Sequence, residues 1–137
     1  MAGYSKRSLV DKLGIKPGNR VYFGNAPNGY ISLLGTLPAE ARVLKSLASP
    51  CDFIQFFTKE KARLEDSFPT LKKALTPNGT LWISWPKGAS KVLTDLNENI
   101  ARDIGLRNGL IDVKVCAVDD VWSGLKFVFR IKDRPRK

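Results

Sequence analysis

Residues 79–95, GTLWISWPKGASKVLTD, decide the fold of this chain. Leu81, Trp82, Ile83 and Trp85 make a short apolar run rich in aromatic and branched side chains, the pattern of a buried strand over 80–85. Pro86 has no N–H to give to a ladder, so the strand is expected to stop there. Small, polar and basic residues follow, and a helix is expected to start near Thr94 or Asp95. Asp95 and Glu98 have the spacing of a capping box. Leu93, Leu96, Ile100 and Ile104 would form the buried stripe of that helix, which runs to about Leu106. A strand leading through a loop into a helix is half of a βαβ unit, so an α/β architecture follows.

The same reading extends upstream. Leu64, Phe68, Leu71 and Leu75 fall on one helical face, with Thr58 as its expected cap and Pro69 expected to kink or break it near Ser67. Thr76-Pro77-Asn78-Gly79 reads as the turn that closes it. Residues 51–57, CDFIQFF, are a nearly continuous apolar run that suits a central parallel strand covered on both faces. Residues 20–23 are an earlier strand, reached through a Pro17-Gly18 turn and leading into the loop 24–29. Ser8 and Gly14 bracket a short helix that carries Leu9, Val10 and Leu13, and residues 30–34 suggest another that ends at Gly35. Residues 41–47 hold either a short strand or one helical turn. Downstream, Asn108-Gly109 turns the chain into a period-2 strand at 111–118, and a last strand at 125–131 is expected to pair antiparallel with it. Residues 1–131 therefore read as one Rossmann-like domain and 132–137 as a basic mobile tail.

Composition narrows the chemistry. The chain has 137 residues, is 43% hydrophobic and 26% charged, and carries a net charge of +10. That is long enough for one domain with a real core. It contains no histidine, which removes His-based triads, His metal sites and His general bases. Two isolated cysteines, Cys51 and Cys116, cannot build a four-thiolate zinc site; they read as buried thiols in a reducing cytoplasm, with a disulfide or redox pair as the alternative. The N-terminus has no apolar core of a signal peptide, and no apolar run is long enough to span a membrane. The excess charge sits at the ends: Lys6, Arg7, Lys12, Lys16 and Arg20 in the first twenty residues, and Lys126, Arg130, Lys132, Arg134, Arg136 and Lys137 in the last twelve. Basic ends suit an acidic partner such as nucleic acid, and equally serve solubility.

The alternation of strands and helices, finished by a strand hairpin, resembles the class I S-adenosylmethionine-dependent methyltransferase fold. Residues 15–21, IKPGNRV, are similar to the segment that introduces the first strand of that fold, and residues 75–85, LTPNGTLWISW, resemble the turn and strand of its fifth. The resemblance implies a Rossmann-like, three-layer α/β fold with a mostly parallel sheet and an antiparallel last strand, and it implies S-adenosylmethionine as a cofactor. The chain departs from the family pattern where that cofactor would bind. Its first strand ends in Tyr22-Phe23-Gly24-Asn25-Ala26-Pro27-Asn28-Gly29 without the family's acidic residue, and the interval from Gly35 to Cys51 is too short for two βα units. A shortened sheet and an incomplete cofactor site are expected. More specifically, residues 85–127 resemble a small bacterial family known only as a domain of unknown function, through Trp85, Pro86, Lys87, Ser90, Thr94, Asp95, Leu96 and residues 112–127. That resemblance implies the same fold and a bacterial, cytoplasmic setting, and no activity.

Ligands of open α/β sheets bind beyond the carboxyl ends of the strands. The loops expected there bring Asn25, Asn28, Lys59, Trp85, Lys87, Ser90, Lys91, Asp119, Asp120 and Trp122. Lys87, Ser90 and Lys91 before a helix N-terminus suit a phosphate or carboxylate, or are simply a solvated basic loop. Trp85 and Trp122 either stack on a base or belong to the core. Asp119 and Asp120 are adjacent, a poor arrangement for a shared metal, and one of them is expected to pair with Lys87 or Lys126. Three functions are therefore carried forward. The first is a degenerate, non-catalytic methyltransferase-like module binding a small anionic or nucleotide-like ligand, or a protein partner, at Asn25, Lys59, Trp85, Lys87, Ser90, Lys91, Asp120 and Trp122. The second is a nucleic-acid binder working through its basic ends, and the third an active methyltransferase with an altered cofactor site.

Overall fold

Six strands join in one sheet in a computed structural model that describes residues 8–48 and 50–134. In chain order the elements are α1 (Leu9–Leu13), β1 (Arg20–Gly24), α2 (Tyr30–Leu34), β2 (Arg42–Val43), β3 (Cys51–Phe57), α3 (Lys61–Ala74), β4 (Leu75–Pro86), α4 (Glu98–Arg107), β5 (Leu110–Ala117) and β6 (Trp122–Phe129). The sheet order is β2-β1-β3-β4-β6-β5. The first four strands in that order run parallel, and β6 is antiparallel to both β4 and β5. This is the mostly parallel, Rossmann-like sheet with an antiparallel end expected from the sequence. It is shortened on the β2 side, where β2 has two residues and no helix separates it from β3.

Side chains of successive strand residues point to opposite faces, so the apolar runs of β3 and β4 must be covered on both sides. On one face α3 and α4 bring Leu64, Phe68, Leu71, Ala101 and Ile104 onto Ile54, Leu81, Ile83, Leu125 and Phe127. On the other, α1 and α2 bring Val10, Leu13, Tyr30 and Leu34 onto Val21, Phe53, Phe57 and Trp82. Burying each such side chain contributes about 1.5–3 kcal/mol, which makes the two helical layers the main source of stability. Cys51 lies in the first layer and Cys116 in the second, and the two are not joined by a disulfide.

Local signals placed α1 and its boundaries well. The Ser8 hydroxyl accepts from the Asp11 N–H at 3.1 Å, and Gly14 takes the left-handed conformation (φ 86°) that ends the helix. Trp82 is core, as expected, and its indole N–H donates to the Leu13 carbonyl at 2.8 Å, tying the end of α1 to the middle of β4. The uncertain 41–47 stretch holds a strand, β2.

Several expectations need correction. Pro69 does not break α3, which is continuous over fourteen residues. Phe68 and Leu71 are buried on either side of it and Pro69 itself is exposed, so packing holds both halves to the sheet. The 76–79 turn is absorbed into β4, where five residues of β4 span two of β3 between the pairs Cys51↔Leu75 and Phe53↔Thr80. The helix expected from Thr94 starts instead at Glu98, capped by Asn97, whose side chain accepts from the Ile100 N–H at 2.9 Å. Leu93 consequently lies in the preceding loop, 92% exposed, rather than in the buried stripe. Asp95 serves another helix: its carboxylate accepts from the Lys61 N–H at 2.7 Å and caps α3. Thr58, the expected cap, accepts only from the Glu60 N–H at 3.2 Å, in a turn before the helix. The apolar side chains Ile111, Val113 and Val115 on β5 are exposed, because β5 is an edge strand and a register shift between Asp112 and Lys114 breaks its alternation.

At the chain ends, residues 131–133 form a single 3-10 turn, and the Arg134 guanidinium donates twice to the Phe129 carbonyl, at 3.1 and 2.9 Å. Lys6, Arg7, Arg136 and Lys137 lie outside the described residues. Among the described residues no helix is long and apolar enough to cross a membrane.

Candidate functional site

The carboxyl ends of β1 and β3 meet the start of β6 in a cleft of about 340 Å³, lined by Asn25, Phe57, Thr58, Lys59, Glu60, Arg63 and Trp122. Asn25 directly follows β1 and is held at φ 56°, a left-handed conformation that asparagine tolerates. Its side-chain N–H donates to the Phe57 carbonyl at 3.2 Å, joining the ends of β1 and β3. Trp122 opens β6, half-buried, in a T-shaped contact with Phe57, ring centroids 5.2 Å apart at 87°. Lys59 and Arg63 are exposed and stand four residues apart across the start of α3. The Lys59 carbonyl accepts from the Thr94 hydroxyl at 2.6 Å and from the Asp95 N–H at 3.4 Å, so the 91–96 segment is laced onto the same loop.

Beneath the cleft a chain of buried polar groups crosses three elements. The Tyr30 hydroxyl donates to Gln55 Oε1 at 2.6 Å, and Gln55 Nε2 donates to the Ser84 hydroxyl at 3.0 Å. Gln55 and Ser84 are fully buried. Burial pushes the Tyr30 phenol well above its usual range, although its bond to Gln55 acts the other way. Phe23, Tyr30, Phe57 and Trp122 form a run of edge-on aromatic contacts above these groups.

Of the residues expected at the site, Asn25, Lys59 and Trp122 are brought together. The others are not. Trp85 packs under α3 and α4 at 4% exposure, so neither ring face is open to a ligand. Lys87, Ser90 and Lys91 bracket a 3-10 turn (Gly88–Ser90) that ends well before α4, whose cap is Asn97, so they do not stand at the N-terminus of α4. The Ser90 hydroxyl is used within its own loop, donating to the Lys87 carbonyl at 2.6 Å and accepting from the Val92 N–H at 3.2 Å. Asn28 and Asp120 are exposed and line no part of the cleft. Asp119 forms no ion pair with Lys87 or Lys126; its carboxylate accepts from the N–H groups of Val121 and Trp122 at 2.9 and 2.8 Å and shapes the turn that presents Trp122. Arg63 was missed. Its one signal in the sequence is its place four residues after Lys59 at the start of a helix that follows a central strand.

The residues do not suit S-adenosylmethionine in the manner of the fold they resemble. β2 runs into Leu44 and Lys45 with no carboxylate to accept ribose hydroxyls. The space over Gly24 is filled by the protein itself: a Cβ there would stand 2.7 Å from the Phe56 ring. Glu60 is the one carboxylate lining the cleft, and it follows β3 rather than β2. Among the described residues no group of three or more His, Cys, Asp or Glu is placed to hold a metal.

No protein-family model and no curated protein sequence matches the chain. Solved structures do. A precorrin-6y C5,15-methyltransferase from Geobacter metallireducens superposes with a TM-score of 0.64 at 9% identity, over 89% of this chain and 86% of that one. A magnesium protoporphyrin IX methyltransferase from Synechocystis, solved with bound S-adenosylmethionine, gives 0.61 at 13% identity, over 89% and 74%. A SAM-dependent methyltransferase from Aquifex aeolicus gives 0.57 at 16% identity, over 87% and 86%. At such identities the likeness is one of architecture, and this chain has the Rossmann-like fold of the class I S-adenosylmethionine-dependent methyltransferases.

Proposed function

We propose that this chain is a methyltransferase-fold module that transfers no methyl group and binds a small anionic or nucleotide-like ligand in the cleft at the carboxyl ends of its strands. The observation that carries this reading is the set of groups facing the cleft: two cations, Lys59 and Arg63, against the single carboxylate of Glu60, with an amide at Asn25 and the half-buried ring of Trp122. Cations and an N–H donor suit a phosphate or carboxylate, and an indole face suits a base. The same cleft lacks the carboxylate after β2 that would hold the ribose of S-adenosylmethionine. The resemblance of residues 85–127 to a bacterial family of its own, and a cytoplasmic setting, belong to this reading.

Thermal unfolding with millimolar AMP, ADP, S-adenosylmethionine and S-adenosylhomocysteine tests it. A ligand at 100 times its Kd adds about 2.7 kcal/mol, a shift of several degrees in a domain of this size. The expected result is a rise in Tm with a nucleotide, lost in Arg63→Ala and Trp122→Ala, and no rise with either methyl-donor compound. A rise with S-adenosylmethionine would instead support the active-methyltransferase reading. If no nucleotide shifts Tm, the ligand reading fails.

A further inference from the structure

A second cationic cluster lies at the opposite edge of the sheet, where the parallel strands begin. A cavity of about 410 Å³ there is lined by Lys12, Lys16, Lys114 and Lys126, which come from α1, the turn after it, β5 and β6. We propose that this cavity is a binding site for a phosphate-type oxyanion, held by Lys16, Lys114 and Lys126. The proposal concerns a different edge of the molecule from the cleft above and stands independently of it.

Charge balance is the first argument. Two carboxylates, Asp11 and Asp52, face the four ammonium groups. Asp52 is already committed: it accepts from the Arg20 backbone N–H at 2.8 Å, from the Arg20 guanidinium at 3.1 and 3.2 Å, and from the Thr76 hydroxyl at 3.4 Å. The cavity therefore keeps a positive excess.

The second argument is Lys126. It sits in the middle of β6, opposite Trp82 on one side and Lys114 on the other, half-buried, and no described residue accepts a hydrogen bond from it or pairs with it. Burial, and then the charges of Lys114 and Lys16, lower its pKa from the usual value. Three ammonium groups gathered at one half-buried place, with no acceptor for Lys126 among the described residues, repel one another. A doubly charged oxyanion among the three would reverse the sign of each of these interactions.

The third argument is shape. Gly14 ends α1 beside this ammonium; a Cβ there would lie 3.7 Å from Lys126 Nζ. Lys114 is drawn over the cavity by the Lys12 carbonyl at the end of α1, at 3.4 Å. Asn19 accepts from the Lys16 N–H through Oδ1 at 2.9 Å, which leaves its side-chain N–H groups for a ligand. The Thr80 hydroxyl and Asn78 add neutral donors. The volume exceeds that of a single phosphate, so a diphosphate, or successive phosphates of a nucleic-acid backbone, share the chemistry that fits.

Isothermal titration calorimetry on the full chain, with inorganic pyrophosphate in one arm and a short single-stranded RNA in the other, tests the site. Lys126→Met keeps the aliphatic stem and removes the charge, and the double variant Lys16→Ala/Lys114→Ala changes only exposed side chains and so retains the fold. Binding of either probe to the wild type, weakened about 10- to 100-fold in Lys126→Met or in the double variant and unchanged in Lys45→Ala, an exposed lysine that lines neither cavity, is the expected result. Pyrophosphate binding identifies a small diphosphate as the ligand. Binding of RNA alone, with a salt dependence whose slope falls by about 1 for each lysine removed, identifies the backbone phosphates. Failure of both probes to bind the wild type overturns the proposal, and so does binding that neither variant weakens.

Discussion

Replacing Gly105 by alanine sets two effects of known size against each other. Gly105 lies inside α4, where alanine is favoured over glycine by about 1 kcal/mol. Against this, a Cβ at position 105 would overlap Phe127 Cε1 and stand within 2.6 Å of two further atoms of the same ring. Phe127 is fully buried and locked edge-on to Phe68 at 5.7 Å and 90°, so the ring has nowhere to retreat. Relief requires α4 to lift from the sheet. Overpacking of this kind costs about 1–3 kcal/mol, and the disturbed aromatic pair adds about 0.5–1.5 kcal/mol. The clash outweighs the helix propensity, and the variant is expected to be destabilised by about 1–3 kcal/mol, or several degrees in Tm. Urea unfolding of the wild type, Gly105→Ala and Gly105→Ala/Phe127→Leu measures this. The smaller leucine should recover part of the loss. A Gly105→Ala protein as stable as the wild type, or more stable, would refute the packing of α4 on β6.

Three other perturbations have definite expected outcomes. Asp95→Ala removes the cap that the 91–97 segment lends to α3 and should cost about 0.5–2 kcal/mol, with faster hydrogen exchange at the Lys61 amide; unchanged exchange would show that Asp95 is not the cap. Gln55→Leu strands the Tyr30 and Ser84 hydroxyls in the core and should destabilise by about 1–3 kcal/mol, whereas Gln55→Leu/Tyr30→Phe/Ser84→Ala should recover much of that loss; denaturant titration distinguishes the two. Burial alone would raise the Asp52 pKa, but its hydrogen bonds from Arg20 and that side chain's charge hold it below the usual range. A depressed carboxylate stabilises the fold above its unfolded pKa of about 3.9 and loses that contribution as pH falls through its folded value. Acid unfolding below about pH 4 should therefore be flatter in Asp52→Asn.

Much of the architecture was legible because its signals are local. The strands at 20–23, 51–57 and 80–85, the cap and stop of α1, and the antiparallel closing hairpin all follow from residues within a few positions of one another. The site was legible only in part. Asn25, Lys59 and Trp122 follow or open strands that meet at one edge, so the rule for open sheets found them. Trp85 and the Lys87–Ser90–Lys91 group were misplaced, because the sequence does not show whether a residue at a strand end faces the core or the loop, nor how many residues a loop takes before its helix starts.

The sequence by itself determined the class of the fold: alternating periods of 2 and 3.6 residues, turn residues between them and enough apolar side chains to cover both faces of a sheet. Which helix Asp95 caps, why position 105 must be glycine, and that Lys16, Lys114 and Lys126 share one cavity were decided only by the tertiary structure. Each joins residues 12 or more positions apart, and their meeting is set by the order and register of the strands. Strand pairing is chosen by the packing of the whole core, so no local stretch of sequence displays it.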